Sequence, residues 1–261
     1  MAGREGATTS VKSVGRALEL LKLLGAGTAE GWRLSDLAGQ AGLGKATTHR
    51  LLGALQQAGF AYQSPEDRRY RLGADAIRLG GATVHFDVVE LLRPALIRLA
   101  KETGDTVFLS VREGLDAVCL DRQEGDYPIK TLTLKAGDRR PLGVGAGSLA
   151  LLAALPDQEV EAVVAANGDR LAAYPNFAPD ALRALIARSR DTGYAFNDGR
   201  IVSAMSAIGV PCRDGAGRLV AALSAAAINE RMSAERVAWL ASRLQAEAAG
   251  IAELTSHRGG S

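Results

Sequence analysis

Arg33-Leu34-Ser35-Asp36-Leu37-Ala38-Gly39-Gln40-Ala41-Gly42-Leu43-Gly44-Lys45-Ala46-Thr47-Thr48-His49-Arg50-Leu51-Leu52-Gly53-Ala54-Leu55-Gln56-Gln57-Ala58 is the stretch whose reading decides the fold. It reads as two short helices around a tight turn. The second helix carries Lys45, Thr47, His49 and Arg50 on one side and Leu51, Leu52 and Leu55 on the other. Thr48 falls on the leucine side and is assigned to packing. A helix anchored by a leucine seam that offers cations and hydroxyls to solvent suits the major groove of DNA. Taken alone, the same face reads equally well as a solvated one, so the flanking sequence has to decide.

Working outward, Ser13 is placed to cap a preceding helix in which Val14, Ala17, Leu18, Leu21 and Leu24 recur at helical spacing. Ser35 is read as the cap of the next helix, which Gly42 ends, and Gly44 to Ala58 forms the third. After Gly59, the segments Phe60–Gln63 and Arg69–Leu72 alternate apolar and polar residues around the turn Ser64-Pro65-Glu66-Asp67, which predicts a hairpin. Three helices followed by a hairpin make a winged helix-turn-helix. Arg68, Arg69 and Arg71 stand on the wing, within reach of phosphates or a minor groove. The candidate DNA contacts are therefore Ser35, Lys45, Thr47, His49, Arg50, Arg68, Arg69 and Arg71. Among them Arg50 is the favoured base-edge or phosphate contact, because a guanidinium bonds guanine bidentately.

Charge agrees. Residues 1–80 hold 11 basic and 7 acidic residues, net +4, and the other 181 hold 20 and 22, net −2. A basic first third on a slightly acidic body fits a nucleic-acid module joined to something else. At 261 residues, 47% hydrophobic and 23% charged, the chain can bury two cores. No apolar run reaches the roughly 18 residues of a membrane helix. The start lacks a hydrophobic signal core, so a cytoplasmic protein with no membrane partner is expected. Cys119 and Cys212 are not spaced as a ligand pair and are read as reduced, buried thiols.

Five segments are expected along the chain: a disordered tail at 1–10, the winged helix-turn-helix at 11–73, a helical linker and dimerisation segment at 74–103, a larger domain at 104–255, and a tail at 256–261. The linker's apolar set is Ile77, Leu79, Val84, Val88, Leu91, Leu92, Leu96, Ile97 and Leu99, more than one small domain needs. Pro94 predicts a break, or a fresh helix start, near Leu92-Arg93. Strands are predicted at 106–111, 117–120, 130–134, 194–197, 204–212 and 218–227, and helices at 148–155, 157–166, 179–192 and from a Ser233 cap to about Leu254. Strands grouped with interposed helices point to an α+β domain on an antiparallel sheet.

The ordered series Ser13-Val14-Gly15-Arg16-Ala17-Leu18, Leu34–Ala38, Lys45–Leu52, Arg69-Tyr70-Arg71-Leu72-Gly73, Glu102–Val107, Leu120-Asp121-Arg122, Gly193-Tyr194-Ala195 and Gly217–Ser224 resembles the IclR family of transcriptional regulators over about residues 11–255. The resemblance implies a GAF-like effector-binding domain, dimers or dimers of dimers, and control of a catabolic operon by a small, often carboxylated metabolite. It implies effector contacts at Ile129, Leu132, Arg140, Ala146, Gly147, Asn197, Met205, Ala207 and Ser224. Ala146, Gly147 and Ser148 also fall at a helix amino terminus, where free N–H groups favour an anion, which adds Ser148 to that set. The chain departs from the family in four places. Gly143 and Ser148-Leu149 replace the usual His and Gly-Lys, Ala207 replaces a cysteine, and Arg140 occupies a commonly apolar rim. Arg140 reads either as an exposed loop cation or as the partner of an effector carboxylate.

Other chemistries fit poorly. Gly143-Val144-Gly145-Ala146-Gly147 has its third glycine misplaced for a dinucleotide loop. Gly145-Ala146-Gly147-Ser148 is not a nucleophile elbow. Scattered histidines (His49, His85, His257) and two distant cysteines offer no catalytic pair and no metal site. No cofactor is expected, and the chain is read as a non-enzyme. The expected function is a ligand-responsive DNA-binding regulator whose effector, a small organic acid, alters engagement of operator DNA or RNA polymerase. The rivals are an enzyme with an appended nucleic-acid module, and a DNA-binding oligomer whose second domain takes no ligand.

Overall fold

The structure, a computed structural model, describes residues 12–26, 30–81 and 86–256. The expected tail at 1–10, residues 257–261, and Val84, His85 and His257 lie outside those residues. The chain divides into two units, Met1–Phe86 and Asp87–Ser261.

In the first unit α1 (Lys12–Gly25), α2 (Leu34–Gln40) and α3 (Lys45–Gln57) pack around Leu20, Leu24, Leu37 and Leu52. Each such leucine contributes about 1.5–3 kcal/mol by leaving water. The buried side of α1 is not the one its spacing predicts. Leu24 of the expected set is buried, but Val14 and Leu18 are about half exposed, and Leu20 takes their place in the core. The doublets Leu20-Leu21 and Leu23-Leu24 fit two faces equally, and packing chooses one. Ser13 lies inside α1 rather than before it. Arg33, not Ser35, is the residue ahead of α2, and the Ser35 hydroxyl donates to Asp36 Oδ1 (3.1 Å). Strands β1 (Ala61–Gln63) and β2 (Tyr70–Leu72) pair antiparallel, Ala61 opposite Leu72. Tyr70 also exchanges both backbone bonds with Trp32, so the loop before α2 extends the wing by one bridge. α4 (Ala74–Gly81) starts with the Asp75 N–H donating to the Gly59 carbonyl.

The second unit is a six-stranded antiparallel sheet covered on both faces. Its strands are β3 (Thr106–Glu113), β4 (Asp116–Glu124), β5 (Arg139–Pro141), β6 (Ala195–Asp198), β7 (Met205–Arg213) and β8 (Leu219–Ile228), in the order β5-β4-β3-β8-β7-β6. One face carries α5 (Phe86–Thr103) and α10 (Ala234–Ser256), packed on Val107, Leu109, Ile208, Val210, Leu223 and Ala225. The other carries α6 (Ala146–Ala153), α7 (Asp157–Ala166), the short α8 (Gly168–Leu171) and α9 (Pro179–Thr192), packed on Ala117, Ala195 and Ala222. Because neither face meets water, β3 and β8 read as apolar runs rather than alternating strands. The Ser233 cap on α10 is present, the Arg236 N–H donating to Ser233 Oγ (3.3 Å).

Two expectations are corrected. α5 runs unbroken through Pro94, which sits on its exposed side while Leu92, Ala95, Leu96 and Leu99 are buried. Burying three leucines outweighs the roughly 3 kcal/mol that an interior proline costs a helix. Residues 86–103 are thus a core helix of the second unit as well as a connector. Residues 130–134 form no strand. Their carbonyls are held by side chains instead, Arg122 Nη1 donating to Leu134 O (3.0 Å) and Arg140 Nη2 to Thr133 O (2.8 Å). Among the described residues no helix is long and apolar enough to cross a membrane.

Candidate functional site

The first unit presents α3. Gly44, in extended conformation, precedes the helix, and Thr48 Oγ1 donates to the Gly44 carbonyl (3.2 Å). Thr48 is fully buried, so the side assigned to packing does face the core. That leaves Lys45, His49 and Arg50 exposed and Thr47 half-buried. Exposed Ala46 and Gly53 separate these side chains, and no described atom lies within 4 Å of a Cβ placed on Gly53. The face is therefore low in bulk and bears cations on long stems, a shape that can approach a groove floor. Ser35 is exposed at the start of α2.

On the wing the three arginines differ. Arg69 Nη1 donates to Gly31 O (2.9 Å), and Arg71 Nη2 to Glu30 O (2.8 Å) and Asp67 Oδ2 (2.8 Å). The Arg71 bond, with help from the Arg69 N–H, holds the Asp67 carboxyl well below the usual carboxylate range. Arg68, at the corner of the turn, is exposed.

The second unit contains a cleft between the sheet and the loop leading into α6, with about 630 Å³ of empty space when its open mouth is counted. Of the residues that the resemblance nominates, Arg140, Ala146, Gly147, Ser148, Asn197, Met205, Ala207 and Ser224 line it. Ile129 and Leu132 do not. They are about half exposed on the irregular 126–135 segment, and their neighbours Thr131 and Thr133 face the cleft instead. Phe108, Ser110, Cys119 and Ile201 also line it without having been nominated. Phe108 and Ser110 were findable: Val107, Leu109 and Val111 occupy one face of β3, so the alternate residues must take the other.

The cleft is positive at one end. The first amides of α6 have no intrahelical acceptor, and the helix dipole adds to them. Arg140 Nη1 lies 3.5 Å from the place where Gly145 would carry a Cβ. Burial pulls the Arg140 guanidinium below its usual pKa, and among the described residues its side chain bonds only the Thr133 carbonyl and no Asp or Glu lines the cleft. Ser148 is committed to structure, its Oγ accepting from the Gly143 N–H (2.8 Å) and donating to Pro141 O (3.4 Å). The Ser110 and Ser224 hydroxyls, which make no hydrogen bond among the described residues, flank Gly147, and a Cβ there would stand 3.0 Å from Ser224 Oγ. Thr131 Oγ1 is buried without a partner among the described residues. Asn197 Oδ1 accepts from the Arg200 N–H (3.2 Å), which leaves its NH₂ to donate. Burial pushes the Cys119 thiol up to about 12, so it is not a nucleophile. The cleft can neutralise an anion and hydrogen-bond it. It holds no acid, base and nucleophile set.

Comparison with known proteins agrees with both halves. Residues 13–65 match the IclR helix-turn-helix domain and residues 80–253 the bacterial transcriptional regulator IclR C-terminal domain. The chain is 29% identical over 242 residues to the HTH-type transcriptional regulator XynR of Escherichia coli K12, covering 90% of this chain and 93% of that protein. It is 31% identical over 198 residues to the transcriptional repressor IclR of the same organism, covering 74% and 71%. A solved IclR homologue from Microbacterium hydrocarbonoxydans, complexed with 4-hydroxybenzoate, superposes with a TM-score of 0.70 at 24% identity, covering 92% and 98%. A helix-turn-helix with its wing, joined to an antiparallel sheet domain and matched along nearly its whole length, places this chain in the IclR family of bacterial transcriptional regulators.

Proposed function

We propose that this regulator binds operator DNA as a homodimer or dimer of dimers in the cytoplasm, and that a small organic acid in the cleft changes its engagement of DNA or RNA polymerase. The operon under its control is proposed to be catabolic. One observation carries the effector half: Arg140, partly desolvated and, among the described residues, without a carboxylate partner, stands beside the α6 amino terminus in a cleft that no described acidic side chain lines. A partly buried cation without a counterion favours a ligand that brings one. The half-exposed Val14 and Leu18 on α1 and Leu79 on α4 support self-association of the first unit. A relative's capture of 4-hydroxybenzoate makes that acid the natural first probe.

The test is calorimetric titration of 4-hydroxybenzoate and of aliphatic mono- and dicarboxylates into the full chain and its Arg140→Ala variant. The expected result is saturable binding of at least one acid, weakened by about 1.5–3 kcal/mol, roughly tenfold or more, in the variant. Equal affinity in the two proteins removes Arg140 from the effector site. Absence of binding by every acid favours a DNA-binding oligomer whose second domain takes no ligand.

A further inference from the structure

The role of the wing rests on the reading that the first unit binds DNA, and that reading does not say how the wing takes part. Arg69 and Arg71 spend their guanidinium groups inward on Gly31, Glu30 and Asp67. Their geometry ties the hairpin to the loop ahead of α2, beside the Trp32–Tyr70 bridge. Arg68 differs in two respects. Its side chain is exposed and makes no hydrogen bond or ion pair among the described residues. Its backbone lies at φ +58°, and it is the one non-glycine residue among those described with a left-handed φ.

That corner is held firmly. The Arg68 N–H donates to Ser64 O (3.0 Å), Gln63 Nε2 donates to Arg68 O (2.9 Å), and the Ser64 N–H donates to Arg69 O (2.9 Å). Glycine adopts this conformation without steric cost, whereas arginine adopts it against a clash of its Cβ with the backbone. A strained residue that its surroundings over-determine points to a use for its side chain. The effect here is to aim an unpaired guanidinium outward from the tip of a braced hairpin. Narrow A·T-rich minor grooves concentrate negative potential and draw in arginine, which sheds water more readily than lysine.

We propose that Arg68 is the single wing cation that enters the DNA minor groove, beside the bases met by α3, and that Arg69 and Arg71 are positioning residues that fix the angle of the tip. The partner surface is a narrow, A·T-rich groove flanking the α3 site.

The test uses the full chain and a duplex selected from random-sequence DNA by the wild-type protein. Arg68→Gly removes the strain and the cation together, so stability and binding should part company. The thermal midpoint of the first unit is expected to stay or rise, while DNA affinity falls about tenfold and the slope of log K against log salt drops by about one. Arg71→Ala is expected to lower that midpoint and leave the slope unchanged. Replacing flanking A·T pairs by I·C, which keeps the minor-groove pattern of A·T, should preserve wild-type affinity, and G·C should reduce it. Arg68→Gly should treat all three alike. Wild-type affinity and slope in Arg68→Gly overturn the proposal, as does I·C behaving like G·C. A wild-type protein that selects no duplex overturns the underlying DNA-binding reading as well.

Discussion

Thr48 is a polar residue in the first turn of α3, where its hydroxyl can compete with the backbone for hydrogen bonds. Here it is fully buried and gives its proton to the Gly44 carbonyl four residues back. Satisfied in this way, it costs the small core little, and its neighbours Lys45, His49 and Arg50 are turned to solvent. Arg50 stands on that face without an intramolecular partner among the described residues, so its guanidinium is available to bases or phosphates. Arg50→Ala is expected to weaken binding to the selected duplex by about 1–3 kcal/mol, measured by gel shift at fixed salt, with the thermal midpoint unchanged. These residues were legible in sequence because a helix has only one buried stripe, and Leu51, Leu52 and Leu55 name it. Ile129 and Leu132 were not: the resemblance nominated them, but they lie on an irregular segment whose carbonyls are held by Arg122 and Arg140 side chains, which no period reveals.

Elements approach one another through their smallest residues. β7 passes under the start of α6 at Gly209, where a Cβ would fall 2.5 Å from Ala146 O and 2.9 Å from Gly147 N, both backbone atoms. Gly53, on the open face of α3, meets nothing within 4 Å. The same substitution is therefore expected to act in opposite directions. Gly209→Ala should destabilise the second unit by about 1–3 kcal/mol, because α6 must lift off the sheet. Gly53→Ala should stabilise the first by about 0.5–1 kcal/mol through helix propensity alone. Urea unfolding of each variant measures both, and equal signs would contradict the packing described. The last three strands and the Ser233 start of α10 were readable from their turn residues and apolar runs, whereas Ser13 and Ser35 misplaced the starts of α1 and α2. The unbroken passage of α5 through Pro94 was not, because it depends on a sheet face assembled from β3 and from strands more than a hundred positions later.

The two units have cores of unequal size, and the first is small enough to be marginal on its own. Calorimetry is expected to resolve two transitions, the first unit melting at the lower temperature. A bound acid should raise only the second, by about 2.7 kcal/mol of stabilisation at a hundredfold excess over Kd. An acid that shifted both transitions equally would mean that the units unfold together. Order along the chain made the winged helix-turn-helix and the sheet domain recognisable before any coordinates. The cleft's electrostatics were less accessible, since Arg140 is a rim residue in sequence and becomes half-buried only when β5 pairs with β4. That lone guanidinium also has a practical consequence. Chloride, acetate, phosphate or sulfate in the medium is expected to compete with the proposed acid for the same positive end, so measured effector affinities should follow the choice of buffer salt. Titrations run in a cationic buffer with a bulky, weakly coordinating counterion should give the tightest values.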